Sequence, residues 1–356
     1  MIAEAVNIKV EKNKYSTLNQ VDFNNLDFGK YHTDHMYVLD YLKNSWVEPR
    51  IVPFQNISLS PATAAFHYGQ TVFEGFKGYK PASGQGTIIF RPHKHWERMN
   101  ISLERLCMPI IPKDLFMEGL HELTKIDQAW VPATEGCSLY YRPFAFATDA
   151  FIRVKPSENY FFIIFCSPVG AYFSGELKVK IESHYVRSAE GGIGFSKTGG
   201  NYAASLLPAK IAQSSGYQQI MWTDSKEHKY IEETGASNIM FVIDNVLVTP
   251  SLSTSILDGV TRDSILTIAK DWGMKIEERK ISVQEVLQSI KNKTLQEAFG
   301  TGTAAVVSPI SAIQYEDMEY AIPKPSADSF GEKVKKYMND IKYGIIEDPY
   351  GWTYRV

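Results

Sequence analysis

In the stretch GGIGFSKTGGNYAASLLPAK, Lys197 stands among five glycines, at 191, 192, 194, 199 and 200. Glycines allow close backbone approach and dihedrals closed to other residues. A lysine so placed can form a Schiff base with a carbonyl compound if its amine is desolvated or set beside positive charge. A loop lysine is ordinarily just solvated, so the chemistry depends on partner groups elsewhere in the chain. Tyr202, five residues on at the start of an expected helix, is one candidate.

A resident carbonyl compound that carries a phosphate needs an anion site. In LDGVTRDSILTIAKDWG a turn at Asp258-Gly259 leads into a helix with an apolar face of Ile265, Ile268, Ala269 and Trp272. Its first turn offers unpaired N–H groups around Val260 and Thr261. The Gly/Thr segment from Phe299 through Thr303 to Ala304 offers hydroxyls and loop amides as a second anion cup. Neither segment fits GxxxxGK[ST], and GGIGFSKTGG lacks GxGxxG spacing, which weakens a nucleotide-loop reading. A heteroaromatic ring nitrogen kept protonated needs a carboxylate beside it. Glu232 and Glu233, in KYIEETGASNIMF, are adjacent, so on a strand they face opposite sides and only one can serve. The spacing does not choose between them.

These groups must be held by elements, and the pattern supplies them in both halves. EGFKGYK and TIIFRP flank PASGQG and read as a hairpin. Trp96, Met99, Leu103 and Leu106 recur at helical spacing, and Leu115, Phe116, Leu120 and Leu123 mark a second helix after Pro112. SLYYRPFAF and YFFIIFC read as strands, the second apolar throughout and so central in a sheet. Pro168, Gly170, Gly175 and GELK suggest a linker. Beyond it come a helix from Asn201, strands QQIMWT, NIMFVID and VLVTP, helices from Thr261 and Ser282, and EKVKKYMNDIKYG as a closing surface helix. The expected organisation is mixed α/β: a smaller N-terminal domain (1–168), a linker (169–180) and a larger C-terminal domain (181–356) carrying Lys197.

At 356 residues the chain is long enough for two domains. Its 37 basic and 40 acidic side chains nearly cancel, and no basic stripe suggests a nucleic-acid surface. Cys107, Cys137 and Cys166 are few and scattered, which points away from a disulfide framework or a zinc site and towards free thiols. No metal is expected. The N-terminus lacks an apolar secretory core, and the longest apolar run, Tyr160 to Cys166, is too short to span a bilayer. A cytoplasmic protein without a membrane partner is the expectation.

Taken in order, several segments resemble the branched-chain amino acid aminotransferases, a family within the fold-type IV pyridoxal-phosphate enzymes. They are TDHM (33–36), HYGQTVFEGFKGY (67–79), Glu97-Arg98-Met99, LYYRP (139–143), SPVGAYF (167–173), SKTGGNYAASL (196–206), EETGASN (232–238), LDGVTRD (257–263) and GTGTAAVVSP (300–309). The resemblance runs from about Phe28 to Gly344. HYGQTVFEG and LYYRP favour this family over the D-amino acid aminotransferases and aminodeoxychorismate lyases that share its fold.

The resemblance implies the fold-type IV architecture, pyridoxal 5'-phosphate as cofactor, amino acids and 2-oxo acids as substrates, and a homodimer. It implies Lys197 as Schiff-base and proton-transfer group, Tyr202 on the cofactor's phenolic oxygen, and Glu233 rather than Glu232 at the pyridine nitrogen. Arg98, Val260, Thr261 and Thr303 would hold the phosphate. Phe28, Tyr68, Phe73, Tyr140 and Ala304 would line the substrate pocket, with Arg142 for the distal carboxylate of glutamate. Arg98 lies off its helix's apolar stripe, where an arginine alone is expected to be solvated. Mammalian members carry a redox-active CxxC after this loop; here those places are Ala305 and Ser308, so thiol regulation of that kind is not expected. Ala236 and Ser237 also depart from the Thr-Met of mammalian members.

Overall fold

The computed structural model describes residues 6–170, 177–303 and 306–356. The chain forms two compact units. Unit 1 comprises Met1–Tyr172, Ser196–Gly199 and Asp340–Val356; unit 2 comprises Phe173–Phe195 and Gly200–Asn339. Two segments expected in the C-terminal domain, one of them bearing Lys197, thus belong to unit 1, and the first unit is the larger. The cause is non-local strand pairing. Thr353–Arg355 pairs antiparallel with Ile88–Phe90, and Thr198 forms a bridge with Val72.

Unit 1 is built on one sheet ordered Lys9–Val10, Ser45–Pro53, His35–Leu42, Tyr160–Val169, Ser138–Ala147, Phe76–Tyr79, Ile88–Phe90, Thr353–Arg355, with Thr71–Phe73 added against Ser138–Ala147. The apolar YFFIIFC run is central, as its composition requires. The hairpin forms with Gly78 opposite Ile89. The helices Pro92–Arg105 and Lys113–Ile126 follow the predicted stripes: Met99, Leu103, Phe116, Leu120 and Leu123 are fully buried. Tyr37, from the His35–Leu42 strand, sends its hydroxyl to the Leu115 carbonyl at 2.9 Å. Its ring lies against Gly119, where a Cβ would meet it at 2.2 Å.

Unit 2 holds a second sheet, ordered Ile231–Thr234, Gln219–Thr223, Leu177–Ile181, Val306–Tyr315, Leu295–Gly302, Ser237–Ile243, Val246–Thr249, Lys275–Glu278. Ile231–Thr234 also pairs with Ser237–Ile243, which closes the first six strands into a ring. The seam of that ring sets Glu233 opposite Asn238 and Thr234 opposite Ser237. Its interior is apolar, with Val179, Met221, Ile239, Phe241 and Ile313 among the buried side chains. The helices Gly199–Ser214, Val260–Asp271 and Val283–Lys291 form where expected, the last capped by Ser282, which accepts from Glu285 N–H at 3.1 Å.

Four further expectations need correction. The span 169–180 is not a free linker at either end, because Val169 ends one strand and Leu177–Ile181 is another; 171–176 lie outside the described residues. The Gly/Thr segment is not a loop until Thr303, because Phe299 to Gly302 pair with Val306 to Pro309. Trp272 is not on the buried face of its helix; it is half exposed and packs edge-on against Phe330 and Tyr337. The helix Phe330–Lys342 buries Val334, Met338 and Ile341, and is followed by the strand Thr353–Arg355. Among the described residues, no helix is long and apolar enough to cross a membrane.

Gly119→Ala tests the packing of unit 1. Alanine would gain about 1 kcal/mol of helix propensity, but overpacking costs roughly 1–3 kcal/mol. With the added Cβ 2.2 Å from a buried ring the upper part of that range applies, and urea unfolding should show a net loss of about 1–2 kcal/mol. A variant as stable as the parent would mean that Tyr37 can move aside and that this contact is not a constraint.

Candidate active site

Within unit 1, the backbone of Lys197 is held from two sides. Its N–H donates to Ser102 Oγ at 2.9 Å, and its carbonyl accepts from Phe73 N–H at 3.0 Å. Thr198 Oγ1 donates to the Thr71 carbonyl at 2.7 Å. The half-buried lysine side chain places Nζ 4.9 Å from the centre of the Phe73 ring. Arg142 stacks over the same ring at 4.8 Å and over Tyr140 at 5.3 Å, and its Nη2 donates to the Tyr140 hydroxyl at 3.1 Å. Phe28 meets Tyr140 edge-on at 5.0 Å. Lys197, Phe73, Arg142, Tyr140 and Phe28 therefore form one continuous run of contacts. Arg142 Nε is buried with no hydrogen-bond partner among the described residues. Gly75 makes the arrangement possible, since a Cβ there would meet the Tyr140 hydroxyl at 1.8 Å.

Two pocket expectations fall outside this run. Tyr68 is 39% exposed, and the ring beside it is that of His67. Ala304 lies outside the described residues, as does Ala305; Ser308 is buried in the strand Val306–Tyr315.

Arg98 is not solvated; it is 8% exposed and held by a carboxylate that sequence reasoning missed. Glu74 accepts from Arg98 Nε at 2.6 Å and Nη2 at 2.8 Å, and from His95 Nδ1 at 2.7 Å. Burial alone would push the Glu74 carboxyl up, but Arg98 and His95, by charge and hydrogen bonds, outweigh it and hold it well below the usual carboxylate range. Burial lowers His95, against the pull of Glu74. A signal for this cluster was present. His95, Arg98 and Ser102, spaced three and four apart, form a polar stripe beside the apolar one.

Unit 2 carries the other candidates. Glu233 is 3% exposed, and its carboxylate is held by three neighbours. Oε1 accepts from Asn238 Nδ2 at 3.0 Å and from Leu257 N–H at 3.2 Å, while Arg187 Nε lies 2.6 Å from Oε2 as a charge contact not aligned as a hydrogen bond. Asn238 also donates to the Leu257 carbonyl at 2.8 Å. Gly259 is required beside it, since a Cβ there would meet Asn238 Oδ1 at 1.9 Å. The helix carrying Val260 and Thr261, both buried, starts at that point. Glu233 and Tyr202 line one cleft with Arg187, Asn201, Ser205, Gly235, Ala236 and Leu257. Glu232 faces elsewhere: it accepts from Ser255 Oγ at 2.5 Å, and burial pushes its carboxyl up. The strand alternation thus separates the two glutamates, and Glu233 is the one beside Tyr202. Thr303 stands one residue past the strand Leu295–Gly302; Ser237 packs under Gly302. Arg187 had no local signal, because it reaches Glu233 only through the fold; Asn238 stood in the EETGASN segment, five residues from Glu233, without a role read for it.

Replacing Glu74 by Gln leaves Arg98 with an uncompensated buried charge, a change worth about 3–5 kcal/mol in comparable pairs. The lowered carboxyl stabilises the fold above the ordinary glutamate value of about 4.3, and that contribution fades as pH falls towards the native value. Urea unfolding should therefore show a large difference between parent and E74Q at neutral pH that narrows below about pH 4. A difference that is constant with pH would contradict the ionised pair.

The comparisons with known proteins agree with this geometry. The family described as "Amino-transferase class IV" matches residues 71–313. "Branched-chain-amino-acid aminotransferase 2" of Bacillus subtilis (strain 168) is 44% identical over 339 residues, covering 94% of this chain and 93% of that one. "Branched-chain-amino-acid transaminase 1" of the same strain is 42% identical over 340 residues, with 94% and 95% covered. Among solved structures, the Escherichia coli branched-chain amino acid aminotransferase superposes with a TM-score of 0.72 at 27% identity, covering 89% of this chain and 98% of that one. The T.th. branched-chain amino acid aminotransferase, complexed with N-(5'-phosphopyridoxyl)-L-glutamate, gives 0.71 at 26% identity, with 89% and 97% covered. A family match over most of the chain and relatives above 40% identity along nearly its full length place the protein: it belongs to the class IV amino-transferases and, within them, to the branched-chain-amino-acid aminotransferase family.

Proposed function

We propose that this chain transfers the amino group of L-leucine, L-isoleucine or L-valine reversibly to 2-oxoglutarate, with pyridoxal 5'-phosphate carried on Lys197. The observation that carries the reading is the run from the clamped lysine to Phe73, Arg142, Tyr140 and Phe28. Aromatic faces suit an aliphatic side chain, and a stacked guanidinium with an unpartnered Nε suits the distal carboxylate of glutamate. One pocket can then serve both substrates.

In each unit the groups present suit those of the cofactor. Bound pyridoxal phosphate supplies the electron sink for the pair left when the substrate Cα–H bond breaks. Lys197 would hold it, and its amine would take the Cα proton and return it. By the family resemblance, Arg98, set in place by Glu74, and the amides and hydroxyls at Val260, Thr261 and Thr303 would bind the phosphate. Glu233, fixed by Asn238 and Arg187, would keep a proton on the ring nitrogen, and Tyr202 would orient the phenolic oxygen. Phe28, Phe73 and Tyr140 keep water from the amino acid side chain, with Tyr68 and Ala304 as further pocket residues by family resemblance.

The proposal extends to a cytoplasmic homodimer. In support, the helix Gly199–Ser214 leaves Leu206, Leu207 and Ile211 exposed, an apolar face suited to a second copy. Sedimentation velocity should give twice the 40.2 kDa chain mass, whereas a monomer at micromolar concentration would refute the dimer.

Initial-rate kinetics with leucine and 2-oxoglutarate should give parallel double-reciprocal lines, since the amino group rests on the enzyme between half-reactions. Converging lines would rule this scheme out. A hydrogen bond to a charged group is worth about 1.5–3 kcal/mol, so Arg142→Ala should lower kcat/KM for glutamate by roughly 10- to 100-fold while leaving leucine less affected. Equal losses for the two amino acids would remove Arg142 from its assigned role.

A further inference from the structure

We propose that Ser102 is a positioning residue for Lys197, its hydroxyl fixing the lysine's backbone and tying it to the helical turn that carries Arg98. The inference rests on the roles of Lys197 and Arg98 given above. Ser102 is wholly buried. Its hydroxyl donates to the Arg98 carbonyl at 3.0 Å, a bond that a helical serine commonly makes to the residue four back. Taken alone, that bond would be a packing habit. The hydroxyl also accepts from Lys197 N–H, 95 residues away in the chain, and nothing local requires this second bond.

The second bond completes a clamp. Lys197 presents its N–H to the Pro92–Arg105 helix and its carbonyl to the Thr71–Phe73 strand. With the peptide groups on both sides fixed, the Cα–Cβ direction is fixed too, and Nζ is directed over the Phe73 ring at 4.9 Å. The same hydroxyl contacts the residue whose guanidinium Glu74 has already oriented. One buried oxygen therefore holds the covalent anchor and a phosphate anchor in register. Displacing a reacting group by about 1 Å can cost roughly 100-fold in rate, so a loss of register should appear in the rate of bond formation before it appears in phosphate affinity. Alanine at 102 removes the acceptor for Lys197 N–H; threonine retains it.

The test follows covalent capture of added pyridoxal phosphate by the full-length apo-protein, read by visible absorbance. Wild type, Ser102→Ala and Ser102→Thr are compared, with Lys197→Ala as control, alongside inorganic phosphate affinity and melting temperature. Ser102→Ala should capture about 10- to 100-fold more slowly. Ser102→Thr should stay within about threefold of wild type, and phosphate affinity should change by no more than about threefold, since Glu74 still orients Arg98. A purely structural serine would lower the melting temperature without slowing capture. An alanine variant within about twofold of wild type overturns the proposal whatever its melting temperature, as does a threonine variant as slow as alanine. Covalent capture that survives Lys197→Ala would instead overturn the assignment of Lys197, so the two failures are distinguishable.

Discussion

Glu74 is fully buried, and a carboxylate without water is unstable by several kcal/mol unless charge and hydrogen bonds surround it. Arg98 supplies two bonds and a full positive charge, and His95 supplies a third bond. That one constraint organises the chemistry of unit 1. It fixes how the Pro92–Arg105 helix faces the strand ending at Phe73, and so where Ser102, one turn beyond Arg98, meets Lys197. A more apolar substitute for the pair could make the unit more stable. It would leave no oriented guanidinium for an anion, and on the proposed reading the cost of the buried charges belongs to function.

Unit 2 solves a similar problem by a different route. Glu233 is also buried, and the tight turn between Ile231–Thr234 and Ser237–Ile243 sets the partner that orients it, Asn238, directly opposite. Asn238 reaches on to the segment before the Val260–Asp271 helix, so one amide side chain links a carboxylate to a helix N-terminus. Arg187 balances the charge. Glu232, one residue earlier, accepts from Ser255 and feels Arg187 by charge alone, which shows how strand alternation gives two identical neighbours different surroundings.

Local pattern makes much of this legible. Helical spacing locates the Pro92–Arg105 and Lys113–Ile126 helices, and apolar composition places YFFIIFC at the sheet centre. Lys197, Arg98, Tyr202 and Glu233 are named by glycine context and ordered motifs. What is not legible is which segments pair. No periodicity announces that 196–199 and 340–356 join unit 1, that the ring closes at Glu233–Asn238, or that the Gly/Thr segment is paired before Thr303. The first depends on partners far away in the chain; the other two are pairings between consecutive strands, which no apolar period marks. Arg98 reads as solvated from its helix alone because its shield, Glu74, lies 24 residues earlier and cannot be seen on that helix.

The central claim is that Lys197 is the covalent anchor, and chemical trapping reaches it most directly. The protein loaded with pyridoxal phosphate is reduced with borohydride, digested and mapped by mass spectrometry. The account predicts one modified peptide, with the phosphopyridoxyl group on Lys197 in the SKTGGN segment. Attachment to any other lysine, or none at all from a protein that shows cofactor absorbance, would contradict it.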